Sequence, residues 1–208
     1  MNMSKLILML LISSMAYSTE FIAHRGDSHN HLENSLVAFR SAIEMGVGIE
    51  IDIRHTQDGK PIVMHDETLA RTGIGDRCLL DTPIPQLTLH QIRTHCRLKN
   101  GESIPLLEDV LRLVNNIYLI PDYKDNPPSS TRLAVSECNY KRLKGPLTWI
   151  AAWDGMPSDL ILESVNKSRG AVILFSVNKP DRIKQLLGLS VDYIVTDNPE
   201  LALEVRYE

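Results

Sequence analysis

Short apolar runs alternate with amphipathic stretches along this chain from about residue 20 onward. That alternation is typical of parallel α/β folds, in which a helix follows each strand and crosses back over the sheet. The strand candidates are residues 21–23, 48–54, 61–65, 117–120, 147–153, 171–177 and 192–196. Apolar residues at helical spacing predict helices between 35 and 46 and near 106–114, 130–143, 158–168 and 180–188.

Seven strand candidates in 208 residues predict a small barrel. A closed eight-stranded (β/α) barrel usually needs about 250 residues and tolerates about 200. We therefore expect an α/β fold of the TIM type, a trimmed (β/α) barrel with room for one degenerate β/α unit. The Pro127-Pro128 segment is a loop within this domain, because no change in composition follows it.

The first eighteen residues are typical of a secretory signal peptide. Lys5 precedes a short apolar run, Leu6–Ile12, and a small-residue end follows at Ala16-Tyr17-Ser18. The run is too short for a membrane-spanning helix, which needs about twenty residues. We expect a signal peptide at 1–18, a single domain at 19–208, and export to the periplasm or the medium. The alternative is an N-terminal helix of the fold.

Composition argues against several other classes of protein. The formal net charge of −4 lacks the basic excess that a nucleic-acid-binding surface needs. Three cysteines are too few and too dispersed for a zinc cluster or a disulfide-dense scaffold. Cys78 and Cys96 could pair in an oxidising compartment, although sequence spacing cannot establish that bond. We expect no stable membrane span.

The segment Ile49-Glu50-Ile51-Asp52-Ile53 alternates strictly. Residues two apart on a strand share a face, so the three isoleucines lie on one side and the two acids on the other. Adjacent carboxylates are costly to bury unless a cation neutralises them, and oxygen ligands suit Mg²⁺ or Ca²⁺. The alternative is a solvated strand face carrying two acids without a ligand.

A second acidic segment ends the apolar run at 117–120. Asp122 and Lys124 are two residues apart there, and they could supply a third carboxylate ligand and a cation for a phosphate. A surface ion pair is the alternative. Pro121 cannot donate to a sheet ladder, so we expect this strand to end early or bulge.

Two histidines follow strand candidates. His24 is followed by Arg25, whose forked guanidinium suits a phosphate oxygen, and His65 follows the third strand. Histidine is the side chain best matched to proton transfer near neutral pH. Strand-end histidines are also commonly structural or simply exposed.

Taken together, these segments resemble the glycerophosphodiester phosphodiesterase family from residue 21 to about 202. The motifs occur in the family's order: His24-Arg25-Gly26, Glu33-Asn34, Glu50-Ile51-Asp52, Asp58-Gly59, Pro61-Ile62-Val63-Met64-His65-Asp66, Leu69-Ala70-Arg71-Thr72, Asp122-Tyr123-Lys124 and Thr196-Asp197-Asn198-Pro199. The resemblance implies a TIM barrel of the phospholipase C-like phosphodiesterase type and metal-dependent hydrolysis of glycerophosphodiesters. It also implies a role for seven residues: His24 and His65 as the catalytic acid/base pair, Glu50, Asp52 and Asp122 as ligands of a divalent metal ion (Ca²⁺ or Mg²⁺), and Arg25 and Lys124 as phosphate-binding residues.

The chain departs from the family pattern in three places. Asp122 stands where the family usually has glutamate, and Phe175-Ser176-Val177-Asn178 replaces a Trp-Thr-Val-Asn pattern. The insertion at residues 67–105 is brief, so any substrate cap built from it should be small. We expect His29, His31 and His55 to be exposed or to lie behind the site. Glu33 is expected to orient another group or to begin a helix, and not to bind metal.

The sequence thus predicts an enzyme that releases glycerol 3-phosphate and an alcohol from a small-molecule glycerophosphodiester. A phospholipase D-like or cyclising phosphodiesterase acting on lysophospholipids or phospholipids is the first alternative. A barrel that binds phosphodiesters without turnover is the second. The preferred metal, the head group, the oligomeric state and which histidine is the acid stay open.

Overall fold

The computed structural model describes residues 19–114, 117–132, 147–151, 157–167, 171–189 and 191–208. The expected signal peptide lies outside these ranges, as do most of the helix expected near 130–143 and the end of the strand expected at 147–153. In chain order the elements are β1 (Glu20–Ala23), α1 (Leu36–Glu44), β2 (Gly48–His55), β3 (Pro61–Val63), β4 (Gly73–Ile74), α2 (Leu89–His95), β5 (Arg97–Leu98), α3 (Leu107–Leu113), β6 (Leu119–Tyr123), β7 (Leu147–Ala151), α4 (Ser158–Lys167), β8 (Ala171–Phe175), α5 (Pro180–Leu187), β9 (Tyr193–Thr196) and α6 (Pro199–Tyr207). No helix in these ranges has the length and apolar character that crossing a bilayer requires.

Six parallel strands of the described chain form one curled sheet in the order β6-β2-β1-β9-β8-β7. The first strand and the last strand are paired over four residues, from Glu20 with Tyr193 to Ala23 with Thr196. That pairing places β1 and β9 side by side in the middle of the curled sheet, and β6 and β7 form its two ends, which are not paired with each other in the described residues. The expected trimmed TIM-type barrel is confirmed, with β3 added antiparallel to the end of β2.

Apolar residues pack on both faces of this sheet. Ile49, Ile51 and Ile53 lie with buried residues of α1, α3, α5 and α6 in one cluster between the strands and the helices. A second cluster inside the barrel includes Ile22 and Tyr193. The alternation along β2 therefore works as predicted, since the isoleucines face the helices and leave the acidic face for the interior.

Strand β6 differs from the sequence expectation. It continues through Pro121 to Tyr123, with Pro121 opposite Ile51 and Asp122 opposite Asp52. In the described residues β6 pairs only with β2, and a proline is tolerated in such a strand where its nitrogen faces away from the partner. The expected early end at Pro121 was therefore wrong, and the longer strand brings Asp122 to the site.

The insertion at residues 67–105 is a compact unit beside the barrel. It contains the small hairpin of β4 and β5 and helix α2, which begins with a capping box between Thr88 and Gln91. A separate apolar cluster, which includes Leu69, supports it. A disulfide joins Cys78 to Cys96, the pairing that sequence spacing left open.

Candidate active site

A cavity of about 660 Å³ opens where the parallel strands end. Its wall combines charged and polar side chains with aromatic and apolar ones. The residues that line it are His24, Arg25, Glu50, His65, Pro121, Asp122, Tyr123, Lys124, Phe175, Ser176 and Val195. Active sites of (β/α) barrels lie at this end, because the loops that follow the strands converge there. Among the described residues that line the cavity, none belongs to the insertion at 67–105, which was expected to form at most a small cap.

Three carboxylates meet at one side of the cavity. Glu50, Asp52 and Asp122 each place an oxygen within 4.8 Å of the others. Glu50 and Asp52 are buried, whereas the side chain of Asp122 is 46% exposed. Burial raises the pKa of Glu50 well above its usual value, and the neighbouring charge of Asp52 adds to that rise. A cluster of hard oxygen donors this close fits a divalent cation such as Ca²⁺ or Mg²⁺.

Two cationic side chains contact the same carboxylates. The backbone N–H of Arg25 donates to Glu50 Oε2 at 3.0 Å, and the side-chain Nε of Arg25 lies 3.2 Å from Asp52 Oδ2. Lys124 Nζ lies 2.9 Å from Asp52 Oδ1 and also contacts Asp122. Burial lowers the pKa of Lys124, but its bonds to Asp122 and Asp52 outweigh burial and raise that pKa. These contacts keep both cations beside the cavity.

The turn after β1 directs Arg25 toward the acids. Arg25, with φ of 57°, and Gly26, with φ of 81°, both adopt the left-handed backbone conformation, which is unfavourable for arginine. The turn aims the backbone N–H and the guanidinium of one residue at two different carboxylates. Asn34, at φ of 55°, donates from Nδ2 at 2.6 Å to Asp52 Oδ2, the same oxygen that Arg25 Nε approaches.

His24 is held by a carboxylate from the other end of the chain. Its Nδ1 lies 2.6 Å from Asp197 Oδ1, and Asp197 also accepts a bond from Asn178 Nδ2. The bond from His24 lowers the pKa of Asp197 despite partial burial. An ionised carboxylate at Nδ1 favours the tautomer with the proton there, which leaves Nε2 as the free nitrogen of the ring.

His65 is held in the same way by the next residue. Its Nδ1 lies 2.7 Å from Asp66 Oδ1, and Arg71 donates to both oxygens of Asp66. The bonds from Arg71 are the main reason that the pKa of Asp66 falls below its usual range. The two histidines, which lie on different loops of the cavity wall, thus share one arrangement of ring and carboxylate.

All seven residues chosen from the sequence converge. Six of them line the cavity, and Asp52 lies in the acidic cluster at its wall. The sequence did not predict that Asp66, Asp197 and Arg71 hold other residues of the site in place, although each lies in one of the motifs that resemble the family. Glu33 bonds Arg25 and Arg71 and is not part of the acidic cluster, as expected for an orienting group.

Three further histidines considered in the sequence, His29, His31 and His55, do not line the cavity. His29 is exposed, and His31 is half-buried with its Nε2 3.9 Å from Asp27. His55 is buried, with Nδ1 2.7 Å from Asp125 and Nε2 3.0 Å from Thr131 Oγ1. It joins the end of β2 to the segment that follows Lys124, so it lies behind the site, one of the two expected placements.

Comparison with known proteins identifies the family. The sequence profile of the glycerophosphoryl diester phosphodiesterase family matches residues 24–169. Human glycerophosphodiester phosphodiesterase 1 is 38% identical over 116 residues, which are 53% of this chain and 35% of that protein. The glycerophosphodiester phosphodiesterase of Bacillus altitudinis is 28% identical over 242 residues, covering 91% of this chain and 99% of the relative.

A solved structure shows the same fold. The phosphodiesterase OLEI02445 of Oleispira antarctica, crystallised with the product sn-glycerol-3-phosphate, matches with a TM-score of 0.68 at 17% identity, over 93% of this chain and 99% of that one. The chain spans between 33% and 41% of the length of five curated relatives, the human protein among them. On the match to residues 24–169, the chain belongs to the glycerophosphoryl diester phosphodiesterase family.

Proposed function

We propose that this protein hydrolyses glycerophosphodiesters to glycerol 3-phosphate and an alcohol. The observation that carries the proposal is one cavity that combines three clustered carboxylates, two cationic side chains and two histidines, each bonded to a carboxylate at Nδ1. Family membership and the names of the relatives support it. The product complex of the Oleispira enzyme supports the choice of glycerol 3-phosphate as product.

Glu50, Asp52 and Asp122 would hold a divalent metal ion, Ca²⁺ or Mg²⁺. Glu50 and Asp52 are buried, and the two cationic side chains beside the cluster, Arg25 and Lys124, carry fewer charges than its three carboxylates, so a divalent cation would balance the charge that remains. A bound divalent cation would supply positive charge to the phosphoryl oxygens as charge develops on them. The donor set of three carboxylates within 4.8 Å fits such an ion.

The remaining groups would bind the phosphate and move protons. Arg25 and Lys124 carry the charge and the N–H donors that a phosphodiester requires, and they line the same cavity. One histidine would take a proton from the attacking hydroxyl, and the other would give one to the leaving alkoxide. The carboxylates at Nδ1 would keep each Nε2 available for that transfer.

Hydrolysis of glycerophosphocholine tests the proposal. We expect release of choline and glycerol 3-phosphate with Ca²⁺ or Mg²⁺ and none after chelation. Glu50→Gln removes a charge without a change of volume, and it should lower turnover by about 10²-fold or more. The matched control Glu44→Gln changes an exposed glutamate at the end of α1 and should behave as wild type.

Three outcomes would contradict the proposal. Full activity of Glu50→Gln in the presence of a chelator would contradict the proposed metal site. Turnover of lysophosphatidylcholine without turnover of glycerophosphocholine would favour a phospholipase D-like enzyme. Saturable binding of glycerophosphocholine with no product under any divalent cation would favour a binding barrel.

We further propose that residues 1–18 are removed on export and that the mature domain is 19–208. The basic, apolar and small-residue segments of the leader support this proposal. The disulfide of Cys78 and Cys96 adds to it, because such bonds persist in oxidising compartments. Mass spectrometry of the exported protein should find the N-terminus near Thr19, and intact Met1 on the mature protein would contradict cleavage.

A further inference from the structure

One guanidinium connects two loops of the site without lining the cavity. Arg71 bonds Glu33 through both terminal nitrogens, at 2.6 and 2.7 Å. It bonds Asp66 from Nε at 2.7 Å and from Nη2 at 3.0 Å. A planar fork with five donors can make two bonds to each of two carboxylates, whereas a lysine ammonium has only three donors and no fixed fork.

Each of these carboxylates also holds a residue of the cavity wall. Asp66 Oδ1 lies 2.7 Å from His65 Nδ1, and Glu33 Oε1 accepts a bond from Arg25 Nη1 at 3.0 Å. Arg71 is therefore linked to His65 through Asp66 and to Arg25 through Glu33. The bonds from Arg71 also lower the pKa of Asp66 and, against the effect of burial, that of Glu33, so both stay ionised.

The backbone around Arg71 is anchored to the insertion. Gly73 N–H donates to Leu69 O at 2.7 Å, and Lys99 N–H donates to Thr72 O at 2.8 Å. Leu69 is fully buried and Thr72 is buried. The turn that carries the guanidinium thus has fixed bonds on both sides, which a mobile surface arginine would lack.

We propose that Arg71 is a positioning residue that sets the ring of His65 and the guanidinium of Arg25 together. The insertion then contributes to the site through this one side chain, although no described residue of it lines the cavity. This inference rests on the proposed function of the same site. A purely structural ion pair is the competing reading, because the side chain of Arg71 is 48% exposed and such pairs contribute only about 0–1 kcal/mol to stability.

Arg71→Met tests the role against a matched control. Arg112→Met removes a 67% exposed arginine of α3 that also pairs with two acids, Glu108 and Asp109. We expect Arg71→Met to lower kcat for glycerophosphocholine by about 10²-fold, the scale of a misplacement of about 1 Å, with little change in the unfolding midpoint. Arg112→Met should keep wild-type kcat. Arg71→Lys should recover only part of the loss, because an ammonium has three donors and cannot reproduce the four bonds that Arg71 makes to Glu33 and Asp66.

A double variant shows whether the effect passes through Asp66. In an Asp66→Asn background, Arg71→Met should lower kcat by a smaller factor than in the parent, because the route to His65 is already lost and only the route through Glu33 to Arg25 remains. Multiplicative losses would contradict that route. Wild-type kcat in Arg71→Met, with an active parent, would overturn the inference and leave the proposed function intact.

Nitrogen-15 NMR of the histidine rings gives a readout that does not depend on turnover. His65, assigned by its loss in His65→Gln, should carry its proton on Nδ1 in the parent and show mixed tautomers in Arg71→Met. An unchanged His65 spectrum would overturn the inference even if the parent had no activity, whereas an inactive parent with the expected spectral change would count against the proposed function alone.

Discussion

Breaking the Cys78–Cys96 bond should destabilise the protein by a predictable amount. The bond joins cysteines 18 residues apart. For a loop of that length the chain-entropy model gives about 3 kcal/mol of stabilisation at 25 °C, mostly by restricting the unfolded chain. That figure corresponds to roughly two orders of magnitude in the unfolding equilibrium constant. Cys96 is buried in the apolar cluster of the insertion, so the variant should keep that site apolar: Cys78→Ser with Cys96→Ala.

Urea unfolding of the oxidised protein and of this double variant measures the difference. The variant should unfold at a lower midpoint, and a reductant should lower the midpoint of the parent toward it. Reductant should leave the variant unchanged, because the variant has no such bond to lose. Equal midpoints for the oxidised parent and the variant would refute the loop argument, as would a reductant effect of equal size on both.

Three further predictions concern the site and its supporting turn. His24→Ala and His65→Ala should each lower kcat by about 10²–10⁴-fold. A nitrophenyl phosphodiester, whose leaving group needs little protonation, should rescue only the variant that lacks the acid. Near-wild-type rates in both variants would contradict the acid/base pair. Asp122→Glu restores the longer carboxylate usual in the family and should retain activity within about tenfold, with altered preference between Ca²⁺ and Mg²⁺ in a metal titration. Gly26→Ala should cost roughly 3 kcal/mol in urea unfolding, because its Cβ would lie 2.8 Å from the backbone of Ala38, whereas Gly59→Ala has free space and should cost only about 1–2 kcal/mol for the left-handed backbone.

Sequence patterns predicted the parts of the fold that rest on periodicity. The alternation along Ile49–Ile53 gave the two faces of β2 correctly, and the helix predicted between 35 and 46 is α1. Strands β4 and β5 have only two residues each, too few to show any period, so they were missed. Helix α6 was missed although Asn198 and Pro199 supply start signals, because its apolar stripe is weak.

The partners of the site residues were harder to predict than the residues themselves. His24 and Asp197 are 173 residues apart, so only the pairing of β1 with β9 brings them together. The bonds of Arg71 to Glu33 likewise cross 38 residues, and nothing in the local sequence specifies them. Residue types and spacing predict which chemistry a site can perform, whereas the long-range partners depend on which strands pair in the sheet.

The pairing of β1 with β9 also sets when the complete site can first exist. A ribosome makes His24 early and Asp197 only 173 residues later, so the histidine spends almost the whole of synthesis without the carboxylate that orients it. A nascent chain that has passed His55 carries the turn at His24-Arg25-Gly26 and the acidic strand β2 but lacks this pair until Asp197 is made. Completion of the site therefore waits for β9 to dock beside β1, a contact of high sequence separation of the kind that slows folding.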